Sequence, residues 1–334
     1  MILVTGGTGY IGSHTCIALI EAGHDVIVVD NLINSSIDSI VRIEDITGKS
    51  ISFVEGDIRD ETFLRAIFTR FEITDVIHFA GLKAVGESII NPLNYYDNNV
   101  IGTLSLLKVM DSSGCKNLIF SSSATVYGWP SNLPVKEDSP LSAANPYGQS
   151  KLFIEKILND LHESDRHWNI VVLRYFNPAG AHESGLIGEA PNGIPNNLFP
   201  LVSQVAAGQR ESIKVFGGDY LTQDGTGVRD YIHVSDLANG HVSALSAFSD
   251  SARILTINLG TGVGYSVLEI IKEFERVSCH QISYSIVDRR PGDAAACYAD
   301  ATYAKEMMGW SAKLTLAKMC EDQWRWQKNM HRNL

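Results

Sequence analysis

Ile2-Leu3-Val4-Thr5-Gly6-Gly7-Thr8-Gly9-Tyr10-Ile11-Gly12 is the stretch from which the fold can be read. Residues 2–5 are apolar or β-branched without alternation, which marks a strand covered on both faces. Gly6, Gly9 and Gly12 follow at once, leading into a helix-forming run. Glycine lets the chain turn sharply and lets a ligand come close to the backbone. A helix that starts there points unpaired N–H groups and the positive end of its dipole at the same spot. A tight structural turn would use the same residues. At the end of a first strand, however, such a turn is where a parallel α/β sheet holds a nucleotide pyrophosphate.

Outward from this turn, a helix is predicted over 10–21, ended by Gly23, and a second strand over 25–30. Further apolar runs end near Glu55, Phe79, Phe120 and Leu173, each separated by a helical stretch. Strands and helices in alternation with short connections predict an α/β fold, a Rossmann-type doubly wound parallel sheet. Residues 92–112 and 147–161 predict long amphipathic helices, with Leu104, Leu107, Ile154 and Leu158 turned to the core or to a dimer bundle. After Asn177 the pattern loosens into Pro- and Gly-rich loops, with strands again predicted at 228–234 and 255–259. The expectation is a nucleotide-binding domain over 1–176, to which later segments return. A smaller α/β cap over 177–334 then holds the substrate.

The 334 residues carry a formal charge of −11, which argues against nucleic-acid or anionic-membrane surfaces. Cys16, Cys115, Cys279, Cys297 and Cys320 are scattered and odd in number. That fits a reducing cytoplasm rather than a disulfide framework or a metal site. No apolar run reaches membrane-spanning length, and no signal peptide is expected.

The chemistry is carried by Asn145-Pro146-Tyr147-Gly148-Gln149-Ser150-Lys151. Four apart on a helix, Tyr147 and Lys151 share a face. An ammonium beside a phenol is expected to lower the tyrosine from its usual pKa of about 10. That would make it a base for a sugar hydroxyl near neutral pH. Such pairs occur by chance on surface helices, but this one follows a glycine turn and the serine cluster Ser121-Ser122-Ser123 at a strand end. Ser123 is the candidate for hydrogen bonding to the reacting oxygen.

Asp30 ends the second strand, where a carboxylate suits an adenosine ribose diol and repels a 2′-phosphate, favouring NAD over NADP. Asp57 either contacts the adenine or caps a turn. In Phe79-Ala80-Gly81-Leu82-Lys83, small residues let backbone pass near the cofactor, and Lys83 is a candidate for the nicotinamide ribose. Asn98 and Asn99 are poor helix formers, so one of them has a polar task. Arg229 and Arg290 offer guanidinium forks for a diphosphate. His233 reads as structural, and Trp324 and Trp326 as packing of a terminal helix.

Gly6-x-x-Gly9-x-x-Gly12, Ser121 to Gly128, Tyr147-x-x-x-Lys151 and Arg174-Tyr175-Phe176-Asn177 together resemble the extended short-chain dehydrogenase/reductases. More narrowly, Phe79 to Ser88, Asn196-Asn197-Leu198 and Gly225 to His233 resemble the UDP-glucose 4-epimerase family. The similarity covers nearly the whole chain. It implies a homodimer with tightly held NAD and a UDP-hexose beneath the cap. It implies that Tyr147 takes the C4 hydroxyl proton while hydride passes to NAD, with Lys151 stabilising the phenolate and Ser123 bonding the oxygen. The transient 4-keto sugar then turns about its diphosphate and receives hydride on its other face.

Around NAD the resemblance places Tyr10, Ile11, Asp30, Asn31, Leu32, Asn34 and Ser35. It adds Asp57, Ile58, Phe79, Ala80, Gly81, Lys83, Asn98 and Phe176. Around the UDP-sugar it places Asn177, Asn197, Leu198, Val215, Phe216, Arg229, Arg290 and Asp293, the last on ribose hydroxyls. Galactose metabolism and surface-polysaccharide supply are the implied pathways.

Many bacterial members of that family have a tyrosine four residues after the position of Asp293, narrowing the pocket near the sugar C2 substituent. That register gives Cys297 here. A thiol occupies far less volume than a phenol, so the resemblance implies action on both UDP-glucose/UDP-galactose and UDP-GlcNAc/UDP-GalNAc. The alternative is that Cys297 is simply small and buried, with Tyr298 supplying the bulk. A 4,6-dehydratase of the same fold would need an Asp-Glu pair beside the threonine of this loop, where this chain reads Ser123-Ala124-Thr125-Val126. A sensor that binds NAD without chemistry could dispense with Tyr147, Lys151 and Ser123.

Overall fold

The structure, a computed structural model, describes residues 1–193, 195–248, 252–290 and 292–332. In chain order the strands are β1 (Ile2–Thr5), β2 (Val26–Asp30), β3 (Ser52–Glu55), β4 (Asp75–His78), β5 (Asn117–Ser123) and β6 (Asn169–Tyr175). They continue with β7 (Asn177–Ala179), β8 (Ile213–Phe216), β9 (Val228–His233), β10 (Ile254–Leu259), β11 (Gly264–Ser266), β12 (Tyr284–Val287) and β13 (Ala296–Cys297). One parallel sheet runs β10-β6-β5-β4-β1-β2-β3, with Leu3 opposite both Ile27 and Val76. Strand order reverses at β1, and the crevice beyond the carboxyl ends of β1 and β4 is where this topology binds ligands.

Alternation along each strand feeds two cores. Val4, Val28, Ile77 and Ile119 face one side, under the helices Tyr10–Glu21 and Val234–Leu245. Leu3, Ile27, Val76, Leu118 and Phe120 face the other, under Gly102–Ser112 and Pro146–Ser164. Truncating one of these buried aliphatics to alanine costs about 2–5 kcal/mol. The later part of the chain has its own core, where the helices Leu198–Ala206, Val267–Ser278 and Leu316–Arg332 pack with β8. This later part also returns to the large sheet, where β10 forms an edge beside β6.

The long helix predicted over 92–112 is broken. A short helix Pro92–Tyr95 runs into a π-helical segment Tyr96–Ile101 before Gly102–Ser112. The cause is Asn99, whose amide donates to the Leu82 carbonyl and Ser150 Oγ and accepts from the Leu82 N–H at 2.7 Å. Holding that side chain against the loop after β4 requires a helical backbone of wider turn. Among the described residues no helix is long and apolar enough to cross a membrane, and the five cysteines are free.

Candidate active site

The glycine turn forms as the sequence predicts. Gly6 has φ of +72°, and a Cβ there would lie 2.6 Å from the Ala80 nitrogen. A Cβ on Gly12 would meet the Gly6 carbonyl oxygen at 2.2 Å. Gly6, Gly9, Tyr10, Ile11 and Gly12 line a cleft that continues past Asp30, Asn31, Asn34 and Ser35 to Ile58. Asp30 accepts from the Thr8 and Leu32 N–H groups and from Ser35 Oγ. Leu32 adopts a φ of +56° beside it. This carboxylate at the tip of β2, beside a glycine turn with no room for side chains, fits the ribose and pyrophosphate of a dinucleotide.

Asp57 caps the turn after β3. It accepts from the Arg59 backbone and guanidinium and from Asn31 Nδ2, and the Arg59 bond holds its pKa down to about 2. Phe79, Ala80, Gly81, Lys83 and Asn98 continue the cleft wall. Lys83 is no free lysine: its ammonium is 2.9 Å from Glu189, whose side chain is buried.

The catalytic helix Pro146–Ser164 starts at a fixed point. Asn145 Oδ1 accepts the Gly148 N–H at 2.9 Å, and Pro146 occupies the first turn. Further along, buried Glu155 accepts from Ser122 Oγ at 2.5 Å and takes the Arg174 guanidinium in a fork. The helix is thereby pinned to β5 and β6, with Tyr147 and Lys151 turned to the cleft.

The expected depression of the tyrosine pKa is not what the fold produces. Burial raises Tyr147, and a hydrogen bond with Ser123 offsets only part of this. Lys151 Nζ donates to the Ser121 carbonyl at 2.7 Å and lies 4.9 Å over the Phe120 ring. Burial, opposed by Glu155, brings Lys151 down to about 8. Desolvation outweighs the Ser123 hydrogen bond for Tyr147 and the Glu155 charge for Lys151.

Ser123 Oγ also accepts from Thr125 N–H and Oγ1. Phe176 is buried against Val126, Tyr127 and Ala299, with Cys297 packed on the same cluster. Cys297, on β13 opposite Arg229, is half-buried, and burial pushes its thiol up to about 11. Tyr298 rests elsewhere, 3.1 Å from where a Cβ on Gly264 would lie.

Four residues from three separate stretches meet here: Arg290 is 3.1 Å from Asp293, Arg229 is 3.8 Å from the same carboxylate, and Arg290 stacks on Phe216 at 5.3 Å. One carboxylate against two guanidiniums leaves net positive charge for an anion. Asn177 is exposed at the start of β7. Asn197 caps no backbone, because its amide donates to both Glu189 oxygens. Leu198 packs on the cap core. Val215 departs from expectation: alternation along β8 seals it in that core, while Phe216 faces out. His233 is structural, accepting the Ser235 N–H and meeting Asp322 at 3.2 Å.

Ser121, Tyr175 and Glu189 join the site without having been assigned to it, although the first two stand in motifs quoted above. Position at the ends of β5 and β6 signals the first two. Nothing in the sequence marks Glu189, an acidic residue in a loop.

The family described as GDP-mannose 4,6 dehydratase matches residues 3–323. UDP-glucose 4-epimerase from Bacillus subtilis is 57% identical, over 98% of this chain and 97% of its own. The human UDP-glucose 4-epimerase is 55% identical over 98% of this chain and 96% of its own. The crystal structure of UDP-glucose 4-epimerase from Bifidobacterium longum, in complex with NAD+ and UDP, superposes with a TM-score of 0.96. It is 54% identical and covers 100% of this chain and 99% of that one.

Proposed function

This chain belongs to the UDP-glucose 4-epimerase family, and we propose on that premise that it inverts C4 of UDP-hexoses and equally of their 2-N-acetylated counterparts. The observation that carries the reading is the meeting of Tyr147 and Lys151 in the glycine-turn cleft, with Ser123 beside Tyr147.

NAD, for which Gly6, Gly12 and Asp30 form the cradle, supplies the hydride acceptor and donor at C4. Tyr147 removes the C4 hydroxyl proton and returns it to the same oxygen once C4 is inverted, and Ser123 holds that oxygen. Lys151 is charged at neutral pH, since its pKa stays at about 8, and it stabilises the phenolate as that charge develops. Arg229, Arg290 and Asp293 anchor the diphosphate and ribose, with Phe216 beside them. The sugar itself stays loosely held and so can present either face.

Support for the N-acetyl substrates comes from the small side chain of Cys297 on β13, while the bulkier Tyr298 packs against Gly264. The proposed assembly is a homodimer. Ile89, Ile90, Leu93 and Phe153 expose an apolar face on adjoining helices, with Leu93 81% exposed. A patch of this kind suits a second copy.

Tyr147→Phe tests the chemistry. The variant should fold and retain NAD but lose UDP-galactose turnover about 100-fold or more. Near-normal turnover would remove the tyrosine from the mechanism.

A further inference from the structure

Behind the catalytic pair lies a second buried phenol. Tyr175, the last residue of β6, is 5% exposed and lines the same cleft as Tyr147, Lys151 and Ser121. Its hydroxyl meets Nε2 of His241, a wholly buried residue of the helix Val234–Leu245. His241 Nδ1 lies 2.8 Å from the Leu237 carbonyl one turn back. Nδ1 therefore carries the proton, and Nε2 accepts from the Tyr175 hydroxyl. The imidazole also packs on Phe79, another cleft-lining ring, at 4.7 Å, and edge-on to Tyr175 at 5.2 Å.

Burial keeps both partners uncharged: it brings His241 down to about 4 and raises Tyr175. Ser121 completes the chain. It lines the cleft with Tyr175, and its carbonyl accepts from the Lys151 ammonium.

Two apolar side chains of the same shape would hold this core about as firmly, because a buried hydrogen bond adds little net stability over an apolar pair. What the hydrogen bond adds is a single orientation. We propose that Tyr175 and His241 form a positioning brace that fixes Ser121 and, through the Ser121 carbonyl, the Lys151 ammonium. The proposal rests on the epimerase reading of Tyr147 and Lys151 and extends it to Tyr175 and His241. A buried histidine that merely fills the core would pack on Phe79, but it would not need its acceptor aimed at a cleft-lining hydroxyl.

Tyr175→Phe removes one oxygen and keeps the ring. With UDP-galactose, kcat should fall about 10- to 100-fold with KM unchanged, the loss expected from misplacing a catalytic group by about an ångström. The fluorescence of the bound cofactor after borohydride reduction should change as well, which is independent of turnover. His241→Leu should match Tyr175→Phe, and His241→Gln, which keeps an acceptor, should recover part of the loss. Wild-type kcat in Tyr175→Phe would overturn the brace. So would a loss of kcat that tracks a loss of circular dichroism, with cofactor fluorescence unaltered in all three variants. If the unmodified protein fails to convert UDP-galactose, the epimerase reading falls instead, and the fluorescence comparison alone decides the brace.

Discussion

Replacing Lys151 with methionine separates the electrostatic cost of the site from its use. Lys151 is 4% exposed, and burial brings its pKa from the ordinary 10.5 to about 8. At about 1.4 kcal/mol per pK unit, that interval corresponds to about 3 kcal/mol by which the charged lysine destabilises the fold at pH 7. The variant also loses the hydrogen bond to the Ser121 carbonyl, worth about 1 kcal/mol. Lys151→Met should therefore be more stable than the parent by about 2 kcal/mol at pH 7.

The sign follows from proton binding. Between pH 8 and 10.5 the unfolded chain keeps the lysine proton and the folded chain has released it, so parent stability rises with pH in that window. The advantage of the variant should therefore shrink to nothing by pH 10.5. Urea midpoints of both proteins at pH 7 and pH 10 measure this. Turnover of UDP-galactose should meanwhile fall about 100-fold or more. A variant less stable than the parent at pH 7, or a difference that does not change with pH, would refute the reasoning.

Cys297→Tyr should cut turnover of UDP-GalNAc at least 100-fold, about 3 kcal/mol in the transition state, while UDP-galactose turnover changes by less than about threefold. Equal loss on both substrates, measured as kcat/KM, would reject the thiol as the feature that admits the acetamido group. Gly12→Ala places a Cβ 2.2 Å from the Gly6 carbonyl. It should lose bound NAD on purification, read from the nucleotide released on denaturation, and should melt at a lower temperature by several degrees.

The parallel sheet was legible because each strand is a short apolar run followed by a helix, and covered strands need no alternation. The cleft was legible for the same reason: Gly6, Asp30, Phe79 and Ser123 all stand at carboxyl ends of strands, where this topology gathers them. What escaped depends on contacts between segments far apart in sequence. The break at Tyr96–Ile101 comes from Asn99 reaching Leu82. Glu189 matters because it joins Lys83 to Asn197. Spacing places Tyr147 and Lys151 on one face but does not reveal that burial dominates both, raising the phenol and lowering the ammonium. Val215 was assigned by resemblance to the ligand, yet alternation along β8 turns its side chain into the cap core.

The most direct measurement is incubation of the purified protein with UDP-galactose and, separately, with UDP-GalNAc, the sugars being resolved by NMR. The account predicts that both give mixtures with the epimer at C4. Recovery of UDP-galactose unchanged would contradict it at its centre, and conversion of UDP-galactose alone would contradict the wide pocket assigned to Cys297.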